Sequence, residues 1–192
     1  MDVILASASP RRKELLSLIF RSFRVIPSKF DETALSHLAD PGEAVVKSSW
    51  GKAAEIAAKF SESLIIAADT VVVVDQEILG KPADTYDAAR MLWLLSNRTH
   101  QVYTGVTVAK GSMQRSDFEC TDVMFRELNE EIIARYIASS EPMDKAGAYA
   151  IQGRGAVLIH SISGCYFNVV GLPLFKLSSM LEDFGIQPLS SL

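Results

Sequence analysis

The longest apolar run in the chain, Leu64 to Val74, is built mostly of β-branched and small residues and carries one charge, Asp69, near its middle. The run falls well short of the roughly 18 residues that a membrane span needs. It therefore predicts a buried strand, from about Ser63 to Asp75. A carboxylate within such a strand is costly unless it is ion-paired, hydrogen-bonded or metal-bound. Asp69 is accordingly a candidate functional group. The alternatives are a structural aspartate satisfied by backbone donors, or one exposed at a strand end. With 192 residues, 48% of them hydrophobic and 22% charged, the chain can bury a real core around this strand. That size suits a single domain over 1–192, or one core split into two lobes.

Charge and cysteine usage exclude several classes. A net charge of −4 argues against a general nucleic-acid binder, while leaving room for a local basic pocket that takes a small anion. The N-terminal stretch Met1 to Leu16 lacks a secretory signal's order of charges first and apolar residues second, and no run suits a membrane span. The two cysteines, Cys120 and Cys165, lie far apart and form neither a zinc spacing nor a disulfide framework. They read as reduced, partly buried thiols of a cytoplasmic protein. The histidines, His37, His100 and His160, have no ligand spacing and are expected at ordinary surface or strand positions.

The remaining pattern predicts a mixed α/β chain. Val3 to Ala6 reads as a short buried strand and Phe23 to Ile26 as a second. Ser9-Pro10 and Asp40-Pro41-Gly42-Glu43 open helices, the second running to about Phe60, because Ser and Asp cap well and Pro suits the first helical position. Asp75-Gln76-Glu77 is a turn. Asp84 caps a helix over Tyr86 to Leu95, and Asn129 another with Glu130 and Glu131 in its first turn. His100 to Ala109 alternates as a strand, followed by a second near Phe118 to Arg126. Val157 to Ile162 and Tyr166 to Val170 are expected to form a hairpin about Ser163-Gly164. Gly171-Leu172-Pro173 leads into a last helix that stops near Gly185. No repeat, low-complexity stretch or linker marks a domain boundary.

Besides Asp69, three places break local rules, and such breaks often mark function. Arg11, Arg12 and Lys13 occupy the first turn of the Ser9 helix, where cations oppose the helix dipole. An anion at that terminus, met by backbone N–H groups, guanidinium donors and the Ser7 and Ser9 hydroxyls, removes the conflict; a solvated basic turn is the alternative. Lys52 lies on the apolar stripe of its helix with Val45, Ile56 and Phe60, so it needs a partner or snorkels to water. The stretch from Asp144 to Gly155 holds three glycines, which permit close approach to a ligand or make a plain flexible loop. No P-loop, dinucleotide fingerprint or zinc-protease motif is present, and Ser7 and Ser9 have no histidine partner. The residues alone therefore point to an anion site with acidic groups able to hold Mg²⁺: a phosphate-ester site of unspecified substrate.

The same segments resemble the Maf family of nucleotide pyrophosphatases. Leu5-Ala6-Ser7-Ala8-Ser9-Pro10-Arg11-Arg12 looks like its opening motif, and Ala68-Asp69-Thr70-Val71-Val72 like its central acidic motif. Further blocks are Gly80-Lys81-Pro82, His100 to Gly105, Glu141 to Gly153 and Asn168 to Leu174. Six blocks in one order cover nearly the whole chain. The resemblance implies an elongated mixed β-sheet flanked by helices, with two lobes around a central cleft, of the Maf and ITPase-like kind. It implies a cytoplasmic nucleoside triphosphate pyrophosphatase, a divalent cation (Mg²⁺ or Mn²⁺) and frequent homodimers. By position, Asp69 becomes the proton acceptor and Glu32 a second acidic group, both at the metal. Ser7, Arg12, Lys52 and Lys81 become the phosphate-handling residues. Arg11, Thr70 and Gln152 match positions that mark the dTTP/UTP branch; a sister branch acting on 7-methyl-GTP differs there and is the alternative. A nucleotide-binding regulator of cell division is the alternative outside catalysis.

Overall fold

In a computed structural model of the chain, residues 1–31 and 40–187 are described. The elements are β1 (Val3–Leu5), α1 (Pro10–Ser17), β2 (Arg24–Val25), α2 (Pro41–Ala57), β3 (Leu64–Val74), β4 (Glu77–Leu79) and α3 (Thr85–Leu95). Then follow β5 (Thr99–Lys110), β6 (Met113–Phe125), α4 (Glu130–Ala138), three short 3₁₀ turns, β7 (Ile159–Ser163), α5 (Tyr166–Val170) and α6 (Leu174–Glu182). The strands form a seven-stranded sheet in the order β2-β1-β3-β5-β6-β7, with β4 pairing β3. The expected mixed sheet with flanking helices is therefore present.

The chain divides into two compact units: Met1–Asp69, Thr104–Glu119 and Gly171–Leu192 in the first, Thr70–Tyr103 and Cys120–Val170 in the second. Three of the four divisions fall inside β3, β5 and β6, where composition does not change, and the fourth falls between α5 and α6.

In the first unit the sheet is parallel around β1. Leu5 pairs with Val25 of β2 and with Ile66 of β3. The chain steps from β1 to β2 on one side and returns to β3 on the other, so strand order reverses between β1 and β3. Right-handed crossovers in opposite directions place their helices on opposite faces of the sheet. The cluster of Ile4, Ala6, Ala53, Ile56, Ile65 and Ala67 shows which face α2 covers. Close approach there requires glycine: a Cβ on Gly105 of β5 would lie 2.2 Å from the Val45 carbonyl oxygen of α2. The α2 N-cap is Asp40, whose Oδ1 accepts from Gly42 N at 2.8 Å and Glu43 N at 3.3 Å.

In the second unit β3 turns into β4 through Asp75 and Gln76, both at positive φ (48° and 68°), as a two-residue hairpin turn demands. Val72, Val74, Leu79, Leu92, Leu95 and Phe125 lie in its core. Asp84 and Asn129 cap α3 and α4 as expected, accepting from Asp87 N at 2.8 Å and Ile132 N at 2.9 Å. His100 sits on β5 but is buried, 1% exposed, with Phe125 and Tyr149 edge-on to its ring.

The expected hairpin about Ser163-Gly164 is a correction. Ile159–Ser163 is a strand, paired antiparallel with β6, but Tyr166–Val170 is a helix. Thr121 of β6 starts it: its Oγ1 accepts from Cys165 N at 3.0 Å, while Asn168 Nδ2 reaches the same oxygen at 3.0 Å and Val102 O at 2.9 Å. A cap supplied from over forty residues away leaves no local signal, and apolar Tyr-Phe-Asn-Val-Val reads as strand without it.

Candidate active site

Two linked groups of candidate residues assemble in the first unit. Ser7 and Arg12 form one. Ser9 caps α1 and accepts from Arg12 N at 3.4 Å, so its hydroxyl closes the helix. Ser7, 8% exposed, follows β1 and accepts from Ser9 N at 3.2 Å and from Arg12 Nη1 at 3.3 Å. Those bonds occupy its lone pairs and leave the hydroxyl proton for another acceptor. Arg12 is fixed at its other end, where Nε donates to Gly171 O at 2.8 Å. The cation that opposes the α1 dipole is thus turned back across the helix N-terminus rather than out into solvent. Arg11, half-exposed, follows Pro10 on the same helix.

Lys52 and Asp69 form the other. Side chains alternate along β3, so Asp69 shares the face of Ile65 and Ala67, which α2 covers. On α2, Lys52 points the same way as Ala53 and Ile56, and its Nζ lies 2.7 Å from Asp69 Oδ1. The two side chains are only 11% and 14% exposed. Each misfit in the sequence is therefore the answer to the other: the lysine on an apolar stripe and the aspartate in an apolar strand neutralise one another. Ala6 N donates to Ile66 O at 2.8 Å, which sets the Ser7 turn beside the part of β3 that leads to Asp69. The carboxyl ends of parallel strands at a reversal of strand order are where open α/β sheets bind ligands.

The second unit holds Thr70, Lys81 and Gln152. Thr70 follows Asp69 on β3, facing as Val72 and Val74 do. Lys81 is exposed, and Gln152 is half-buried before the 3₁₀ turn Gly153–Leu158. Gly80 O accepts from Gly147 N at 3.0 Å, so the Gly80-Lys81-Pro82 segment is tied to the glycine-rich stretch. The glycines there meet protein. A Cβ on Gly147 (φ +68°) would fall 2.9 Å from the Val72 side chain, and one on Gly155 2.5 Å from the Tyr136 hydroxyl. The expected choice between ligand approach and a flexible loop is thus corrected at Gly147 and Gly155: packing within the unit explains both.

Two residues to which the sequence assigned no role stand out here. Glu141 accepts from Tyr136 Oη at 3.0 Å, Arg154 N at 3.0 Å and Gly155 N at 2.9 Å. Burial alone would raise its pKa, but those hydrogen bonds and the Lys145 charge outweigh it and hold the carboxyl below the usual glutamate range. A lone Glu after Ser139-Ser140 gives no warning of this, because its partners lie five and thirteen or more positions onward or back.

A profile described as Maf-like protein matches residues 2–184. The chain belongs to the Maf family. A relative of this Maf chain in Carboxydothermus hydrogenoformans, named dTTP/UTP pyrophosphatase, is 49% identical over 187 residues, 96% of this chain and all of the relative. One in Clostridium tetani with the same name is 43% identical, covering 97% of this chain and 99% of the relative. Among solved structures, a HAM1 protein from Coxiella burnetii superposes with a TM-score of 0.57 at 14% identity, over 95% of this chain and 99% of that one. That likeness concerns the fold.

Glu32, like His37, lies outside the described residues. Among the described residues no three His, Cys, Asp or Glu side chains gather into a metal cage. A Mg²⁺-type ion does not require one, since it is typically held by one or two carboxylates together with substrate phosphates and water. Asp69, an oxygen donor with Oδ1 engaged by Lys52, fits that pattern. Among the described residues no helix is long and apolar enough to cross a membrane.

Proposed function

We propose that this Maf-family chain hydrolyses dTTP and UTP to the nucleoside monophosphate and pyrophosphate. The observation that carries this reading is the near full-length match to relatives named dTTP/UTP pyrophosphatase, 43–49% identical across both chains. The site chemistry agrees with it. Lys52 holds Asp69 by one oxygen, which fixes the carboxylate's orientation; its second oxygen, with Glu32, would hold a divalent cation and orient or deprotonate the attacking water. Ser7 and Arg12, already bonded to each other, present a hydroxyl proton and guanidinium donors to phosphoryl oxygen. Lys52 and Lys81 offset charge as the pyrophosphate leaves.

Asp69, with Glu32 as a second carboxylate, is the residue proposed to hold a divalent cation. Such an ion supplies Lewis-acid polarisation of a phosphoryl oxygen when bound. Arg11, Thr70 and Gln152 are proposed to set base preference, with the Gln152 amide suited to a pyrimidine's carbonyl and N–H edge. A cytoplasmic setting and a homodimer belong to the same proposal.

Pyrophosphate release from UTP, dTTP, CTP and 7-methyl-GTP, with Mg²⁺ and with Mn²⁺, tests the reading. It expects turnover of UTP and dTTP above the others. Turnover confined to 7-methyl-GTP, or binding of UTP with none, contradicts it.

A further inference from the structure

The carboxylate of Glu141 and the phenol of Tyr136 act on one short piece of backbone from both sides. Before Gln152, Ala150 N donates to Tyr136 Oη at 3.1 Å. After it, Arg154 N donates to Glu141 Oε2 at 3.0 Å and Gly155 N to Oε1 at 2.9 Å. The two clamping groups are themselves joined, the phenol donating to Oε1 at 3.0 Å. Space is as tight as the bonding. A Cβ on Gly153 (φ +73°) would stand 2.6 Å from Glu141 Oε2, and one on Gly155 2.4 Å from Ala150 O. Tyr136 is 5% exposed and Ala150 8%, so little water competes for the bond between them.

We propose that Tyr136 and Glu141 are positioning residues for base recognition: their joined phenol and carboxylate pin the backbone on both sides of Gln152 and so fix where its amide presents itself. This rests on the reading that Gln152 meets the base. A hydrogen-bonding edge discriminates between bases only while its donor and acceptor stay in register, and a displacement of about 1 Å can cost on the order of a hundredfold in an enzyme. Neither residue needs to touch substrate. An ionised carboxylate suits the task because it accepts only, matching the three donors around it.

The test uses Tyr136→Phe, which removes a hydroxyl at near-constant volume, and Glu141→Gln, which turns an NH₂ towards backbone N–H donors. Each is measured in the full chain for kcat and KM on UTP, dTTP and CTP, beside Gln152→Ala and the Tyr136→Phe/Gln152→Ala double variant. The expected result is a roughly tenfold fall in the preference for UTP over CTP, mostly through KM. The double variant should lose no more selectivity than Gln152→Ala alone, since the clamp then has nothing to position. Equal losses on all three substrates, or selectivity losses that add in the double variant, would overturn the inference. Wild-type turnover of UTP and dTTP is the control for the underlying reading: its absence sinks that reading, whereas its presence with unaltered selectivity in the variants sinks this one.

Discussion

The two units hold their candidate residues in opposite ways. In the first, charge is fixed by charge and hydroxyl: Lys52 on Asp69 at 2.7 Å, Arg12 on Ser7 at 3.3 Å. In the second, Gln152 is positioned by its backbone neighbours, through a phenol and a carboxylate that bond to the chain on either side of it. The first arrangement suits groups that must carry charge into a reaction and keep it. The second suits a neutral reading group, whose value lies in its place. Substitutions of Asp69, Lys52 and Arg12 should therefore reduce rate on every substrate, and those around Gln152 should redistribute rate among substrates.

The largest effect is expected at Asp69. Asp69→Asn removes the proton acceptor and leaves Lys52 facing a neutral amide; kcat should fall by roughly a hundredfold or more, equally for UTP and dTTP. Removing one partner's charge from this largely buried ion pair should also lower stability. A folded variant that retains most of its activity removes Asp69 from the chemistry.

Next come the cations. Arg12→Ala, Lys52→Ala and Lys81→Ala each delete a charge-assisted contact of roughly 1.5–3 kcal/mol, which corresponds to a loss of kcat/KM of about ten- to a hundredfold. Lys81 sharpens the comparison because it belongs to the second unit: a uniform loss across bases groups it with Lys52, a base-dependent one with Gln152. Unchanged kcat/KM for all three would place phosphate handling elsewhere.

Smaller shifts are expected at Arg11, Thr70 and Gln152. Alanine at each should change the ranking of UTP, dTTP, CTP and 7-methyl-GTP by roughly tenfold while kcat on the preferred substrate changes less. Equal losses on every substrate would show that these residues do not select.

The smallest effect on turnover is expected at His100. Burial pushes its pKa down to about 4, while its Nε2 lies 2.8 Å from the Tyr149 hydroxyl. The unfolded chain takes up this proton as pH falls below about 6.5 and the folded chain does not until near 4, so stability is lost across that window. Urea unfolding should show a slope of up to roughly 1.4 kcal/mol per pH unit from this group, absent in His100→Gln. Identical slopes in the two proteins would show that His100 does not titrate this way.

Much of this was legible in the sequence where the cause is local. Ser9-Pro10, Asp40-Pro41, Asp84 and Asn129 each begin a helix because cap and first turn are chain neighbours. Lys52 and Asp69 were visible as separate misfits, since each breaks the apolar pattern of its own element. Their pairing was not, because it depends on which face of β3 the α2 crossover covers. Tyr166–Val170 was misread because Thr121 caps it from another strand. Glu141 and Tyr136 were silent for the same reason: a carboxylate whose donors are backbone N–H groups of a later loop looks like any surface glutamate. The three unit boundaries that cut through strands have no compositional trace.

In the proposed reaction water attacks the α-phosphorus and pyrophosphate leaves. Hydrolysis of UTP in ¹⁸O-labelled water, followed by mass spectrometry of the products, tests it directly. Label is expected in UMP and none in the released pyrophosphate. Label in pyrophosphate would mean attack at the β-phosphorus, and UDP with labelled phosphate would mean attack at the γ-phosphorus; either result contradicts it, even if Asp69 proves indispensable.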